Sequence, residues 1–263
     1  MTLLNSLVPQ PGLRVLVTAG ASGIGAAIAQ AFSEAGASVH ICDIDRSAID
    51  QLTGSVPGIT ASVADASVER DVDLVFEDVL GSFGGLDVLV NNAGIAGPTG
   101  SIDTLSASQW QRTVDVNLNS QFLFARRAVP VLRQSTNHPC IIAMSSVAGR
   151  LGYAFRTPYA STKWGVVGLM KSLAVELGPD GIRVNAILPG VVEGDRMNGV
   201  IAARAATTGV SVDAMREDYL RKISLRRMVT ADDVAATALF LSSPAARNIT
   251  GQAISVDGNL EYL

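Results

Sequence analysis

The chain has 263 residues, 48% of them hydrophobic and 17% charged, a balance that supports a large buried core and excludes a disordered or low-complexity protein. Its formal net charge is −4 and it contains no run of lysine or arginine, so it offers no electrostatic footprint for a nucleic-acid backbone. Cys42 and Cys140 are the only thiols and His40 and His138 the only histidines, and none of them sits in a ligand-spaced cluster, which reads as buried free cysteines, a reducing cytoplasmic setting and no metal site.

Residues 1–14 lack a basic stretch followed by a long apolar core, and no later apolar run approaches the length of a bilayer, so neither export nor a membrane span is expected. Residues 14–18 read as a β-branched strand that runs into Ala19-Gly20-Ala21-Ser22-Gly23-Ile24-Gly25, followed by a helix over 26–35 that Gly36 stops. A second strand over 38–42 closes on Asp43. A third, over 59–63, precedes Asp65, Ala66 and an amphipathic helix over about 67–82. Residues 86–90 form the fourth strand, which enters Asn91-Asn92-Ala93-Gly94, and one long helix is expected over about 108–133. The fifth strand spans 140–145, a helix carrying Tyr159 ends near Leu177, and the sixth strand, over 182–188, ends at Pro189-Gly190. The rhythm then breaks. A long connection with helical stretches over about 191–227 precedes a helix over 231–241 and a seventh strand over 253–256.

Repeated strand-then-helix order with apolar strands implies an α/β fold: one doubly wound, Rossmann-type domain over 1–263, with a seven-stranded parallel sheet and helices on both faces. Ligands of such sheets bind beyond the carboxyl ends of the strands, where the strand order reverses. The glycine turn, Asp43, Asp65, Asn91, Ser145-Ser146 and Pro189-Gly190 all stand just past expected strands.

In the turn, Gly20, Gly23 and Gly25 permit backbone conformations and close approaches that a Cβ would block, and the free N–H groups of the next helix attract a pyrophosphate. Asp43 follows Gly25 by eighteen residues, the interval from which a carboxylate can bond both hydroxyls of an adenosine ribose, and this argues for NAD. Ser22 and Ile44 supply no cation for a 2′-phosphate; Arg46 is the nearby candidate that keeps NADP open. Tyr159 and Lys163 are spaced to share one helix face, where an ammonium can lower the pKa of a phenol.

With these residues in view, nearly the whole chain resembles the short-chain dehydrogenase/reductase family. The family's TGxxxGxG turn resembles residues 18–25, with Ala19 where its first glycine usually stands and Gly20 expected to supply the freedom. Its NNAG resembles Asn91 to Gly94, and Asn117, Ser146, Tyr159 and Lys163 match its catalytic set in order. The resemblance implies that Tyr159 is the acid–base group, Lys163 the cation that lowers its pKa and holds the nicotinamide ribose, Ser146 the donor to substrate oxygen, and Asn117 the holder of a relay water. It further implies cofactor contacts from Ser22, Ile24, Asp65, Ala66, Asn91, Ala93, Gly94, Pro189, Gly190 and Val192. The threonine of the family's PGxxxT is Gly194 here. Ser145 and Tyr153 are set aside as rivals, the first on its interval to Tyr159 and the second because position 157 is threonine, not lysine.

Substrate choice is expected to reside in 149–153, 95–99 and the connection after Gly194, acting as a lid. Arg150, Arg196, Arg204, Arg216 and Arg221 are candidates to select an anionic alcohol. The resemblance implies a homotetramer or homodimer. The leading expectation is an NAD-dependent enzyme interconverting a secondary alcohol and a ketone on a sugar, polyol or hydroxy acid. The alternatives are an NADPH-dependent 3-oxoacyl-carrier-protein reductase and a non-catalytic dinucleotide sensor.

Overall fold

A computed structural model describes residues 3–262. Strands β1 (Arg14–Thr18), β2 (Ser38–Asp43), β3 (Thr60–Val63), β4 (Val88–Asn91), β5 (Cys140–Met144), β6 (Arg183–Pro189) and β7 (Ala253–Val256) form one sheet in the order β3-β2-β1-β4-β5-β6-β7. Every pairing is parallel. The order reverses between β1 and β4. Val15, Leu16 and Val17 are all fully buried, the signature of a strand covered on both faces, which is why the strands read as continuous apolar runs.

The α-helices are α1 (Gly23–Glu34), α2 (Arg46–Ser55), α3 (Glu69–Phe83), α4 (Ala107–Val114), α5 (Ser120–Leu132), α6 (Thr157–Leu177), α7 (Asp195–Thr208), α8 (Val212–Lys222) and α9 (Ala231–Ser242). Ile28 and Phe32 of α1, Ile49 and Leu52 of α2 and Leu241 of α9 pack on one face of the sheet. Phe76 of α3, Phe124 of α5 and Val166 and Met170 of α6 pack on the other. Helix α2 is not expected from sequence, because it presents only Ile49 and Leu52 to the core. Its start is fixed by Asp45, whose Oδ1 accepts from the Ala48 N–H at 3.1 Å.

The single helix expected over 108–133 is divided. Helix α4 gives way to one π turn over Asp115–Asn119 before α5 begins, and the extra residue carries Asn117 inward to full burial. Apolar periodicity continues across the break, so sequence spacing does not reveal it.

The expected lid consists of α7 and α8, which close on a small core of their own: Ile201, Ala205, Met215, Tyr219 and Ile223 pack against Val147, Val191 and Leu260. At the amino-terminal end of the sheet, fully buried Asp87 accepts from Arg14 Nε at 2.9 Å and Nη2 at 2.7 Å, from the Arg14 N–H at 2.9 Å and from the Ser135 hydroxyl at 2.6 Å. Both thiols are buried and free; burial pushes Cys42 up to about 12 and raises Cys140 as well, so neither is a nucleophile at neutral pH.

Candidate active site

A cavity of about 730 Å³ opens at the carboxyl ends of the strands, across the β1/β4 reversal. Residues that follow six of the seven strands line it: Ser22, Gly23, Ile24 and Gly25 after β1, Asp43 at the end of β2, Asp65 and Ala66 after β3, Ala93 and Gly94 after β4, Ser146 after β5, and Pro189, Gly190 and Val192 at and after β6.

The glycine turn is shaped for close approach. A Cβ on Gly25 would lie 2.0 Å from the Ala19 carbonyl oxygen and 2.7 Å from Asn92 Nδ2. Asn92 closes the back of the turn, its amide donating to the Thr18 and Ala19 carbonyls at 3.0 Å. The left-handed backbone falls on Ala19 at φ 49° and Gly23 at φ 52°, so the freedom expected of Gly20 is supplied by Ala19 itself. Gly20 is needed for packing: a Cβ there would meet Ile41 Cβ at 2.7 Å.

Asp43 is pinned at the wall, Oδ2 accepting from the Ala21 N–H at 3.1 Å and Oδ1 from the Asp45 N–H at 3.2 Å. Ile44 is its neighbour in the lining, and Arg46 is not part of the lining. Asp65 pairs with Arg112 at 3.0 Å. Burial opposes its charge, but the Ser67 hydrogen bonds and Arg112 outweigh it and hold the carboxyl below its usual range.

Tyr159 and Lys163 project from the first turns of α6. Lys163 is 3% exposed, donates from Nζ to the Met144 carbonyl at 2.8 Å and lies 5.8 Å from the centre of the Tyr159 ring. Burial draws the lysine down to about 8 against the pull of Tyr159, with Arg196 adding to the fall. Burial pushes the Tyr159 phenol up, yet Lys163, Arg196, the Ser146 hydroxyl and Arg156 together leave its pKa lowered. Ser146 also accepts from the Ala148 N–H at 3.2 Å. Ser145 also lines the cavity, but its hydroxyl donates to the Lys163 carbonyl at 2.8 Å, a structural bond that weakens it as a rival.

Three expected site residues stand behind the cavity wall instead of on it. Gly20 is one, for the packing reason given. Asn91 points toward α5 and donates to the Gln121 carbonyl at 3.1 Å, and the neighbouring Asn92 lines the cavity. Asn117 accepts from the Ile95 N–H at 2.7 Å and donates to the Ile95 carbonyl at 3.1 Å and to Thr162 Oγ1 at 3.2 Å. Its amide is therefore occupied. It still flanks Lys163, because a Cβ on Gly94 would sit 3.3 Å from both Asn117 Oδ1 and Lys163 Nζ.

The candidate arginines divide as well. Arg150 is held by Asp257 at 2.8 Å and by the Leu260 carbonyl at 2.7 Å, and does not line the cavity. Arg216 donates to Asn198 Oδ1 and Arg221 pairs with Asp218. Arg196 does line the cavity, with Nη1 donating to the Gly94 carbonyl at 3.0 Å. Arg156, three residues before Tyr159, lines it too and has no motif to announce it.

A family model described as enoyl-(acyl carrier protein) reductase matches residues 18–260. The chain belongs to the short-chain dehydrogenase/reductase family, and is an oxidoreductase of that family. It is 33% identical to a 3-oxoacyl-acyl-carrier-protein reductase of Chlamydia muridarum, over 98% of this chain and 100% of the relative. It is 35% identical to the L-fucose dehydrogenase of Bos taurus, over 95% of this chain and 90% of the relative. Its fold superimposes with a TM-score of 0.84 on the crystal structure of a 3-ketoacyl-(acyl-carrier-protein) reductase from Brucella melitensis complexed with NADH, at 33% identity and covering 95% of this chain and 98% of that one. Among the described residues no helix is long and apolar enough to cross a membrane, and no group of three or more acidic, histidine or cysteine side chains is placed to hold a metal.

Proposed function

We propose that this short-chain dehydrogenase/reductase is an NAD-dependent enzyme that interconverts a secondary alcohol and a ketone on a sugar, polyol or hydroxy-acid substrate. The observation that carries the reading is the buried Lys163 ammonium 5.8 Å from the Tyr159 ring, beside Ser146, in a cavity whose other end is walled by the glycine turn and Asp43. The cradle that Gly25 keeps open and the pinned Asp43 carboxylate suit a pyrophosphate and an adenosine ribose. Ser22, Gly23, Ile24 and Gly25 would hold the first, and Asp43 the second, with Asp65 and Ala66 beside the base. Ala93, Gly94, Pro189, Gly190, Val192, Tyr159 and Lys163 would hold the nicotinamide half. When bound, the nicotinamide supplies the hydride acceptor or donor.

The protein's own part is proton chemistry. Using a phenol of ordinary pKa near 10 as a base at neutral pH needs about 4 kcal/mol of preferential stabilisation of the phenolate. A unit charge 5.8 Å away at an effective dielectric of about 20 contributes about 3 kcal/mol, so Lys163 supplies most of it. In the oxidative direction Tyr159 takes the proton of the substrate hydroxyl while the Ser146 hydroxyl donates to that oxygen and stabilises its developing negative charge. Asn117, across Gly94 from Lys163, keeps the segment at Ile95 in place and lines the route by which a water passes the proton on from the ammonium.

Asp43 favours NAD: a carboxylate about 4 Å from one phosphate charge is repelled by about 4 kcal/mol at that dielectric, and Arg112, the cation lining that end of the cavity, is paired with Asp65. The reductase names among its relatives support the second reading, an NADPH-dependent 3-oxoacyl-carrier-protein reductase. We also propose a cytoplasmic homotetramer or homodimer built on α5 and α6, whose Phe122, Trp164 and Val175 are exposed; light scattering measures its mass.

The test is NADH formation from NAD with a panel of secondary alcohols, sugars and hydroxy acids, run beside NADP and the Tyr159→Phe variant. Activity with NAD, reduced about 10³-fold in kcat by Tyr159→Phe, is the expected result. A preference for NADPH with acyl thioesters would favour the reductase. Dinucleotide binding without turnover of any alcohol or ketone would leave a sensor.

A further inference from the structure

Beyond Lys163, the substrate end of the cavity carries positive charge that has no anionic side chain among the described residues to match it. Arg156 immediately precedes α6, is 2% exposed, and has its guanidinium stacked over the rings of both Tyr153 at 5.3 Å and Tyr159 at 5.0 Å. Its Nη2 donates to the Ala96 carbonyl at 2.7 Å, while Nε and Nη1 have no hydrogen-bond partner. Arg204 of α7, 7% exposed, stacks on Tyr153 at 5.0 Å and on Tyr219 at 5.4 Å. It donates from Nη1 to the Tyr219 hydroxyl at 3.1 Å and leaves its Nε without a partner. The Tyr153 and Tyr219 hydroxyls are hydrogen-bonded to each other, which ties the lid to this corner.

Among the described residues neither Arg156 nor Arg204 forms a salt bridge, and Arg196 in the same wall forms none, whereas Arg14, Arg112 and Arg150 each do. Glu193 and Asp195 line the cavity at exposed positions and neither is within salt-bridge distance of these guanidinia. Arg204 is not itself in the cavity lining but stacks on Tyr153 and Tyr219, which are, whereas Arg183, also buried with unmatched nitrogens, caps the Leu241 and Ala246 carbonyls away from it. A buried guanidinium with unmet donors is costly, and a carboxylate matches both its charge and its planar fork.

We infer that Arg156, assisted by Arg204, forms a carboxylate subsite, so that the substrate is a short hydroxy acid or the corresponding oxo acid. The guanidinium touches the ring of the phenol whose hydroxyl meets the reacting oxygen, so the carboxylate stands only a few bonds from the carbon being oxidised or reduced. The inference rests on the dehydrogenase reading above for the identity of the reacting group. The carboxylate itself is bound and released unchanged.

The test has a binding arm and a turnover arm. Calorimetry on the NADH-saturated protein at pH 7 compares lactate, 3-hydroxybutyrate and 4-hydroxypentanoate with their amides, and with glycerol phosphate as a non-carboxylate anion. At least one acid is expected to bind about 10-fold or more tightly than its own amide. Arg156→Gln should bring that ratio to about one, Arg156→Lys should restore part of it, and Arg216→Gln, outside the cavity, should leave it unchanged. If Arg156→Gln does not fold, Arg204→Gln carries the same comparison through the second cation. Equal binding of acid and amide at every chain length, a ratio that survives both substitutions, or selection of glycerol phosphate over all the acids overturns the subsite. Turnover with NAD separates the two readings. Acid-selective binding without turnover counts against the dehydrogenase and leaves the subsite standing; turnover of neutral alcohols with no preference for acids does the reverse.

Discussion

The two ends of the parallel sheet handle charge in opposite ways. At the amino-terminal end, buried Asp87 meets Arg14 in a two-pronged ion pair and takes further bonds from the Arg14 N–H and Ser135, so the donors around it are matched. At the carboxyl end, Lys163, Arg156, Arg196 and Arg204 converge on a few tyrosines and none of the four forms a salt bridge among the described residues. The first arrangement holds β1 to the segment entering β4. The second leaves positive potential in a cavity, where a phenolate or an incoming anion can use it.

The sharpest way to break the contrast is to remove a matched charge. Asp87→Ala strands Arg14 and the Ser135 hydroxyl and should cost about 4 kcal/mol of unfolding free energy in urea titrations. Substrate preference should be unaltered, since Asp87 is remote from the cavity lining. A loss below about 1 kcal/mol would mean that the pair is no more than a surface ion pair.

Removing an unmatched charge should act on rate. In Lys163→Met the phenol loses the cation that lowers its pKa most, leaving Arg196, the Ser146 hydroxyl and Arg156 to oppose burial, so its pKa rises. The base form needed for oxidation then becomes scarcer at neutral pH, and the acid limb of the rate profile moves to higher pH. We expect kcat for alcohol oxidation at pH 7 to fall about 10²-fold, equivalent to about 3 kcal/mol, with recovery as pH increases. A pH profile that keeps its midpoint while losing amplitude would assign Lys163 to cofactor binding alone.

These contrasts also mark what the sequence makes legible. The glycine turn, Asp43, Ser146, Tyr159 and Lys163 are readable because each answers a local demand: a backbone that must approach closely, or a side chain just past a strand or one helical turn from its partner. Which of Asn91 and Asn92 faces the cavity depends on the strand's exit, which the apolar spacing does not reveal. The π turn that buries Asn117 leaves no mark on apolar spacing. Arg156 has no motif, because its environment is assembled from Ala96, Tyr153 and Tyr159 only when distant elements meet.

His40 tests whether the β2 edge of the sheet belongs to the matched class. It is 2% exposed, and its ring nitrogens are hydrogen-bonded to Thr60 Oγ1 and Ser62 Oγ at 2.8 Å, yet burial brings its pKa from 6.5 down to about 4 against the pull of Asp78. The unfolded chain therefore binds the proton first. The stability His40 contributes is complete above pH 6.5 and is lost as pH falls toward 4, amounting to about 2 kcal/mol by pH 5. Asp65 and Asp87, held below the ordinary carboxylate range, lose their contributions only at lower pH. Urea titrations at pH 7 and pH 5 should show this loss in the wild type and not in His40→Asn; an equal loss in both would place the acid sensitivity elsewhere.

The smallest effect concerns backbone strain at the cavity end. Ala19 sits at φ 49°, in the left-handed region where its Cβ crowds the following carbonyl, at a cost of about 1–2 kcal/mol. Ala19→Gly relieves that strain but widens the unfolded ensemble, which takes back about 0.5–1 kcal/mol. The net is a gain of about 0.5–1 kcal/mol in unfolding free energy, read as a rise in Tm. Dinucleotide affinity separates two origins of the strain. If the alanine is only a tolerated departure, affinity is unchanged or improved in the glycine variant. If the Cβ stiffens the turn in its binding shape, the glycine variant is more stable and yet binds NADH more weakly, and the left-handed alanine is a working part of the cofactor end.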